Sequence, residues 1–264
     1  MQLTDTPPEA VVERRPPRGF RQLVKVELLM FLREPAAMFF TLVFPLALLL
    51  FTGVAYGKSK DDTNGLRMID ENVPQIIATI AVNLGVLGVA VNLAESRARG
   101  ILRRYKLAPV PFWWFWLSQV IVGVLMFALA TALLLGVVQA TLGVNVKSPV
   151  SFLLITLFGL APAFTMGVVL GSLRMPVRTV QIVGTGVFFW MFLGSGAALP
   201  RGTFPSWLRA VSSINPMTPI VDASERSYLG HSLVPALPWL GLVLLFTLGT
   251  LVFARRMSRW EVER

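Results

Sequence analysis

The chain has 264 residues, of which 55% are hydrophobic and only 14% are charged, so it has more apolar surface than one soluble domain can bury. It contains no cysteine, which excludes disulfides, thiolate metal sites and cysteine nucleophiles. A formal net charge of +10 would suggest nucleic acid in a soluble protein, but here the positions of the cations matter more, and we expect no nucleic-acid partner.

The N-terminal part is predicted to stay outside the hydrocarbon. Residues 1–18 are rich in proline and charge, lack the apolar core of a secretory signal, and are predicted to be a flexible cytosolic tail. Residues 19–34 predict an amphipathic interface helix on the cytoplasmic surface, which turns into the membrane at Arg33-Glu34-Pro35. Its apolar side groups Phe20, Val24, Leu28 and Phe31. A membrane-flanking helix without a partner is the alternative.

Six uncharged apolar segments follow, each long enough to cross a bilayer, which takes about 20 residues. They are residues 36–56, 75–94, 117–139, 150–173, 180–199 and 233–254. The predicted fold is therefore an all-α integral membrane protein with six transmembrane helices in a single domain, residues 19–264. Pro45 and Pro162 each remove a backbone hydrogen bond, which is tolerable where a neighbouring helix covers the freed carbonyl.

The distribution of cations predicts the orientation. With the N-terminus inside, the inner segments hold 17 Lys and Arg and the outer segments hold 7. Because Lys and Arg concentrate on the cytoplasmic side of membrane proteins, both termini are predicted to be cytoplasmic.

The segment between the second and third spans, residues 95–106, is dense in cations and predominantly helix-forming. A short helix held between two spans is suited to pass a push from a cytosolic partner into the membrane. The alternative is a solvated, charged face that only enforces topology.

The segment between the fifth and sixth spans, residues 200–232, is apolar but too short and too rich in proline to span. We predict an outer re-entrant or interfacial hairpin held by Trp207 and Trp239, with an ordinary folded loop as the alternative.

The sequence also limits the chemistry. The predicted spans contain no Lys, Arg, Asp, Glu or His, so proton relays and ion-coupled transport have little support. No phosphate-binding loop of the form GxxxxGK[ST] occurs, so any ATP must be held by another chain. Ser195 between two glycines, with His231 further along, suggests a rhomboid-like intramembrane serine protease, but Leu193 departs from that pattern and helix packing explains the glycines better.

Three motifs resemble those of one family. They are Phe31-Leu32-Arg33-Glu34-Pro35, the loop from Glu95 to Arg104 followed by Ala108-Pro109-Val110, and Phe204 to Ala210 running into Asn215-Pro216-Met217-Thr218-Pro219. In this order and within six spans, they resemble the ABC-2 type permeases, the membrane subunits of ATP-binding-cassette exporters. The daunorubicin/doxorubicin exporter subunit is closest in style.

The resemblance implies a multi-pass permease of a bacterial cell membrane, surrounded by lipids, that is not itself an enzyme. It implies a homodimer with two copies of a separate ATPase subunit that holds ATP and Mg, while this chain carries no cofactor or metal. The substrate would be hydrophobic or amphiphilic, a drug-like compound or a lipid, as in multidrug efflux and antibiotic resistance. Export of a lipid-linked polysaccharide is the alternative within this fold.

The resemblance also implies three groups of site residues. ATPase coupling falls on Glu95, Arg97, Arg99, Gly100, Leu102, Arg103 and Arg104. The interface helix contributes Phe20, Val24, Glu27, Phe31 and Arg33. The substrate path falls on Asn83, Leu87, Phe188, Phe189 and Phe192.

Overall fold

The computed structural model describes residues 18–56, 68–100, 113–143, 146–195 and 204–259. These residues are helical wherever they have regular structure, and no strand occurs among them. The predicted all-α class is therefore confirmed.

The helices follow one another in the predicted order. The first helix, α1, is Arg18–Leu32. The next, α2, runs through Pro35–Met38, a π-helical turn Phe39–Val43, and Phe44–Tyr56. Then α3 runs through Met68–Val82, a second π-helical segment Asn83–Val89, and Ala90–Ala98.

The remaining described helices complete the chain. They are α4 (Trp113–Leu142), α5 (Pro149–Ser172), α6 (Val177–Gly194), α7 (Ser206–Ser213), α8 (Thr218–Tyr228) and α9, which starts with a 3₁₀ turn Val234–Ala236 and continues as Leu237–Arg259.

Five helices in the described ranges, α3, α4, α5, α6 and α9, are long and apolar enough to cross a membrane. In α2 the corresponding apolar helix, Phe39–Val54, is shorter. The first of the six predicted spans falls on α2, so five spans are supported and the number six stays a prediction. On the fifth predicted span, residues 180–199, α6 stops at Gly194 and Ser195 lies in a turn, and residues 196–199 lie outside the described residues.

Helix α3 lies at the centre of the bundle. Its most apolar stretch is 72% buried, whereas the stretch in α9 is 17% buried. One apolar cluster joins it to α2 and α4 through Leu49, Ile77, Met126 and Phe127, and a second joins it to α5, α6 and α8. The second cluster includes Val86, Ala163, Met191 and Ile220.

The contact between α3 and α5 depends on glycine. A Cβ on Gly167 of α5 would collide with the carbonyl oxygen of Gly85 in α3, and a Cβ on Gly171 would lie 2.9 Å from the carbonyl oxygen of Ala90. Small residues let two membrane helices approach backbone to backbone. These glycines therefore set the distance between the two central helices.

We expect Gly167→Ala to lower the free energy of unfolding by about 1–3 kcal/mol, because the new methyl group must force α3 and α5 apart. The measurement is the thermal unfolding of the detergent-solubilised protein. Gly136→Ala in α4 is the control, since a Cβ there meets nothing within 4 Å. Equal unfolding temperatures for the two variants would contradict the role of Gly167.

Candidate functional site

Three elements meet at one end of the bundle, which we call the basic end. They are α1, the last turn of α3, and the turn between α5 and α6, and they carry Arg21, Lys25, Arg97, Arg99 and Arg174. This end collects the predicted interface helix and the described part of the predicted coupling segment. The opposite end carries α7 and α8, and we call it the hairpin end.

Helix α1 is packed onto the basic end by the side predicted from its periodicity. Val24 and Phe31 are partly buried against the first apolar cluster, and the ring of Phe20 meets Trp114 of α4 edge to face at 5.4 Å. Arg33 is exposed just after α1, where the chain turns into α2. The structure therefore has a helix here that packs by this side, and its role as an interface helix stays a prediction.

Glu27 occupies the buried side of α1. Its carboxylate lies near the side chains of Gln119 in α4 and Asn92 in α3, and both stabilise its charged form. Asn92 Oδ1 in turn accepts a hydrogen bond of 3.3 Å from Ser96 Oγ. Gln119 Nε2 makes no hydrogen bond of full geometry in the described structure, so its effect on Glu27 is that of a nearby polar group. Glu27 therefore links α1 to both α3 and α4.

Burial raises the pKa of the Glu27 carboxyl above its ordinary value, and the nearby side-chain amides of Gln119 and then Asn92 oppose the rise. The folded protein therefore binds this proton more tightly than the unfolded chain. The associated stability is present below the ordinary carboxyl pKa and is lost as the pH rises through the raised value.

We expect Glu27→Gln to raise the unfolding temperature at neutral pH and to flatten its decline between acidic and neutral pH, because glutamine keeps the shape without the buried charge. The measurement is thermal unfolding in detergent across that pH range. The control is Glu34→Gln, which changes an exposed carboxylate in the turn after α1. A Glu27→Gln variant that is less stable than wild type at neutral pH would refute this account.

The predicted coupling segment differs from expectation in its first part. Residues 95–98 are not the start of a separate helix but the last turn of α3, which ends at Ala98. Gly100 has φ +68°, a left-handed conformation that suits glycine and ends helices. Leu102, Arg103 and Arg104 lie outside the described residues.

The charged residues in this turn have different surroundings. Arg99 Nη2 donates to Glu95 Oε2 at 2.8 Å in an exposed pair, a type that contributes at most about 1 kcal/mol. Arg97 is half-buried, and its guanidinium donates to backbone carbonyls of the α5–α6 turn. Glu95 and Arg99 are therefore available to a partner, whereas Arg97 faces the bundle.

The predicted path residues lie on two helices that touch. A Cβ on Gly184 of α6 would lie 3.3 Å from Leu87 Cδ2, so the second π segment of α3 faces α6. On α6, Phe188 stacks on Phe192 at 5.8 Å and meets Phe189 edge to face at 5.4 Å. Phe188 and Phe192 are partly buried against the second cluster, and Phe189 is exposed. The structure thus places Leu87 against α6 and packs Phe188 and Phe192 on the second cluster, whereas Phe189 lies on the exposed face of α6.

The fifth, Asn83, satisfies a carbonyl of α2. In the π turn of α2, the backbone N–H of Phe44 donates to the carbonyl of Phe39, five residues back. Pro45 has no N–H to continue this pattern, so the Phe40 carbonyl loses its donor. Asn83 Nδ2 donates to that carbonyl at 3.2 Å. A neighbouring helix therefore covers the carbonyl that Pro45 frees, as predicted.

We expect Asn83→Leu to lower the free energy of unfolding by about 1–3 kcal/mol, because the Phe40 carbonyl would lose its donor in an apolar environment. Thermal unfolding in detergent measures the loss. Gln181→Leu on α6 is the matched control, because that amide is exposed. If both variants unfold at the wild-type temperature, the bond has no structural importance.

The hydroxyl of the predicted serine nucleophile, Ser195, makes a hydrogen bond within the end of its own helix. Ser195 is buried and its hydroxyl donates to the carbonyl of Phe192 at 3.0 Å. His231 is exposed in the turn after α8, where its backbone N–H donates to the Arg226 carbonyl. This arrangement fits the helix-packing interpretation of Ser195.

Sequence reasoning missed the role of Asn215 at the hairpin end. Its side-chain nitrogen Nδ2 donates to the carbonyls of Trp190 and Met191 at 2.9 and 3.1 Å, which caps the last turn of α6. Its Oδ1 accepts from the backbone N–H of Met217 at 2.9 Å. Asn215 therefore ties the turn between α7 and α8 to α6. The Asn-Pro motif was a signal for it, although no spacing rule identifies the carbonyls it reaches.

The predicted hairpin contains two helices, α7 and α8, and its depth relative to the lipid stays a prediction. Trp207 and Trp239, the predicted anchors, are 66% and 56% exposed. A cavity of about 260 Å³ lies between α7, α8 and α9, lined by Thr218, Asp222 and Arg226 among others. Within the described ranges, no cluster of His, Asp or Glu suits a metal ion.

A family model described as ABC-2 type transporter matches residues 18–229. The match covers every element of the basic end and the hairpin as far as α8. No curated protein matches the chain.

Proposed function

Because the chain belongs to the ABC-2 type transporter family, we propose that it is the membrane-spanning permease subunit of an ATP-driven exporter. Its energy comes from a separate ATPase subunit that holds ATP and Mg and binds at the basic end. Two copies of each subunit form the complex. The protein lies in a bacterial cell membrane with both termini in the cytoplasm.

The observation that carries this proposal is the continuity of α3. One unbroken helix runs from the exposed pair Glu95–Arg99 to the π segment that holds Asn83 and Leu87 beside α6. Because α3 is packed on both sides, a displacement of its basic end is transmitted rather than absorbed locally. A partner that pushes on Glu95 and Arg99 therefore acts on the predicted path.

The exposed face of α6 supports a path between two copies of the chain. Gln181, Thr185 and Phe189 lie on it, roughly one turn apart, and all three are exposed. An amide facing lipid without a partner is costly, which favours coverage by a second copy or by a water-filled path. The aromatic and uncharged lining suits a hydrophobic or amphiphilic substrate, a drug-like compound or a lipid, as in the daunorubicin exporter that the sequence resembles.

In the proposed cycle, ATP binding closes the two ATPase subunits against each other. This closure pushes the basic ends of both permease chains and opens the path outward. Hydrolysis and release of the products reset the complex. Within the permease, α1 keeps the basic end in register, because Glu27 links it to α3 and α4.

The first test is purification of the protein from its native membranes. We expect an ATPase subunit to copurify in a complex of two permeases and two ATPases, and its absence would remove the proposal.

We further expect Glu95→Gln and Arg99→Gln to reduce ATP-driven efflux of a fluorescent amphiphilic dye by at least about fivefold while the ATPase still assembles and hydrolyses ATP. The physical reason is that both side chains are exposed at the end of α3, so their loss weakens contact with the partner and leaves the fold intact. Lys147→Gln is the control, an exposed cation at the hairpin end. Normal efflux per ATP in the Glu95 and Arg99 variants would show that this turn is not the point of coupling.

A further inference from the structure

Arg97 bonds to the chain on both sides of the α5–α6 turn. Its Nη1 donates to the carbonyl of Gly171 at 3.0 Å, and its Nη2 donates to the carbonyl of Met175 at 3.1 Å. Gly171 lies in the last turn of α5, and Met175 lies two residues before α6 begins. One guanidinium in α3 therefore holds the end of one helix and the approach to the next.

The Gly171 carbonyl has no donor within its own helix, for a physical reason. The last four carbonyls of a helix have no donor within it, and α5 ends at Ser172, so the Gly171 carbonyl is one of these four. Arginine near a helix C-terminus also interacts favourably with the helix dipole. The turn itself is tight, since the backbone N–H of Met175 donates to the Leu173 carbonyl at 2.7 Å.

The surroundings of Arg97 leave little room for independent movement. A Cβ on Gly171 would lie 2.9 Å from both the Ala90 carbonyl oxygen and Leu93 Cβ. Helices α3 and α5 therefore pack directly against each other one to two turns before Arg97. The last segment of α3, Ala90–Ala98, also packs against α6. The end of α3 is thus held to the end of α5 and to the turn just before α6 by two charge-assisted hydrogen bonds, and to α6 itself by packing.

From this geometry we infer that Arg97 is a positioning residue that makes α6 move with the basic end of α3. This inference rests on the proposed function, because it concerns how a push by the ATPase reaches α6. Arg97 therefore differs from its neighbours Glu95 and Arg99, which face the partner. It acts through the two carbonyls and not through contact with the ATPase or the substrate.

This role requires the two Nη donors that the guanidinium holds in one plane. Arginine reaches two carbonyls from two nitrogens in a fixed plane, whereas the lysine ammonium is a single point on a flexible stem. Arg97→Lys keeps the charge at the basic end but cannot hold both carbonyls in the same geometry. Arg97→Gln removes the charge as well.

The test follows the movement of α6 directly. Because the chain has no cysteine, a single Ile182→Cys on the exposed side of α6 accepts one spin label. The labelled permease is assembled with its ATPase in lipid nanodiscs. The change in the electron paramagnetic resonance spectrum of the label on adding ATP and Mg is then recorded. Lys147→Gln is the control, because it removes an exposed cation at the hairpin end, away from the proposed ATPase contact.

We expect Arg97→Gln to bind the ATPase normally but to lose at least about fivefold of the ATP-induced change at the label, with Arg97→Lys intermediate and Lys147→Gln unchanged. If the change persists in both Arg97 variants, the inference is wrong. If the Gln variant does not fold, the Lys variant decides: a lowered unfolding temperature with an undiminished ATP response shows a structural cap only, and overturns the inference. If the wild-type permease binds no ATPase, the proposed function fails and the inference fails with it. If the ATPase binds but the ATP response persists without Arg97, only the inference fails.

Discussion

A backbone carbonyl in hydrocarbon has no water to bind, so each carbonyl that a helix leaves free requires a donor from elsewhere in the protein. Three places in this bundle show how the requirement is met. The Phe40 carbonyl, freed by Pro45, accepts from Asn83, and the carbonyls at the ends of α5 and α6 accept from Arg97 and Asn215. In each case the donor comes from a different helix or turn. Satisfying the backbone therefore also ties neighbouring helices together.

Two of these three donors lie on α3, which gives that helix its central position. Asn83 ties it to α2, and Arg97 ties it to the turn before α6. The glycines of α5 bring its backbone against α3 with no space for a methyl group. Helix α3 is thus connected to its neighbours by hydrogen bonds and by close backbone packing. In the proposed transporter, this rigidity makes the helix able to pass a movement from its basic end to α6.

The interface helix shows what could be predicted from sequence and what could not. Periodicity placed Phe20, Val24 and Phe31 on one buried side, because the spacing of apolar residues along a helix is a local property. The resemblance, not the periodicity, included Glu27 among the interface-helix residues, and it did not indicate the neighbours of this carboxylate. Gln119 lies more than ninety positions further along the chain, and only the packing of α1 across α4 brings the two together. The surroundings of this carboxylate are therefore a finding of the tertiary structure.

The sequence by itself determined that the protein lies in a membrane, that one end is basic, and that its motifs resemble the ABC-2 type permeases, because apolar length, charge position and short motifs are all local. It also indicated that the carbonyl freed by Pro45 needs cover. Only the tertiary structure decided which side chain supplies each donor. Arg97 and Arg99 look alike in sequence, but two residues correspond to a rotation of about 200° around a helix, so one faces the α5–α6 turn and the other faces outward. The rotation of α3 about its axis is set by its contacts with α2, α5 and α6, which the local sequence does not contain.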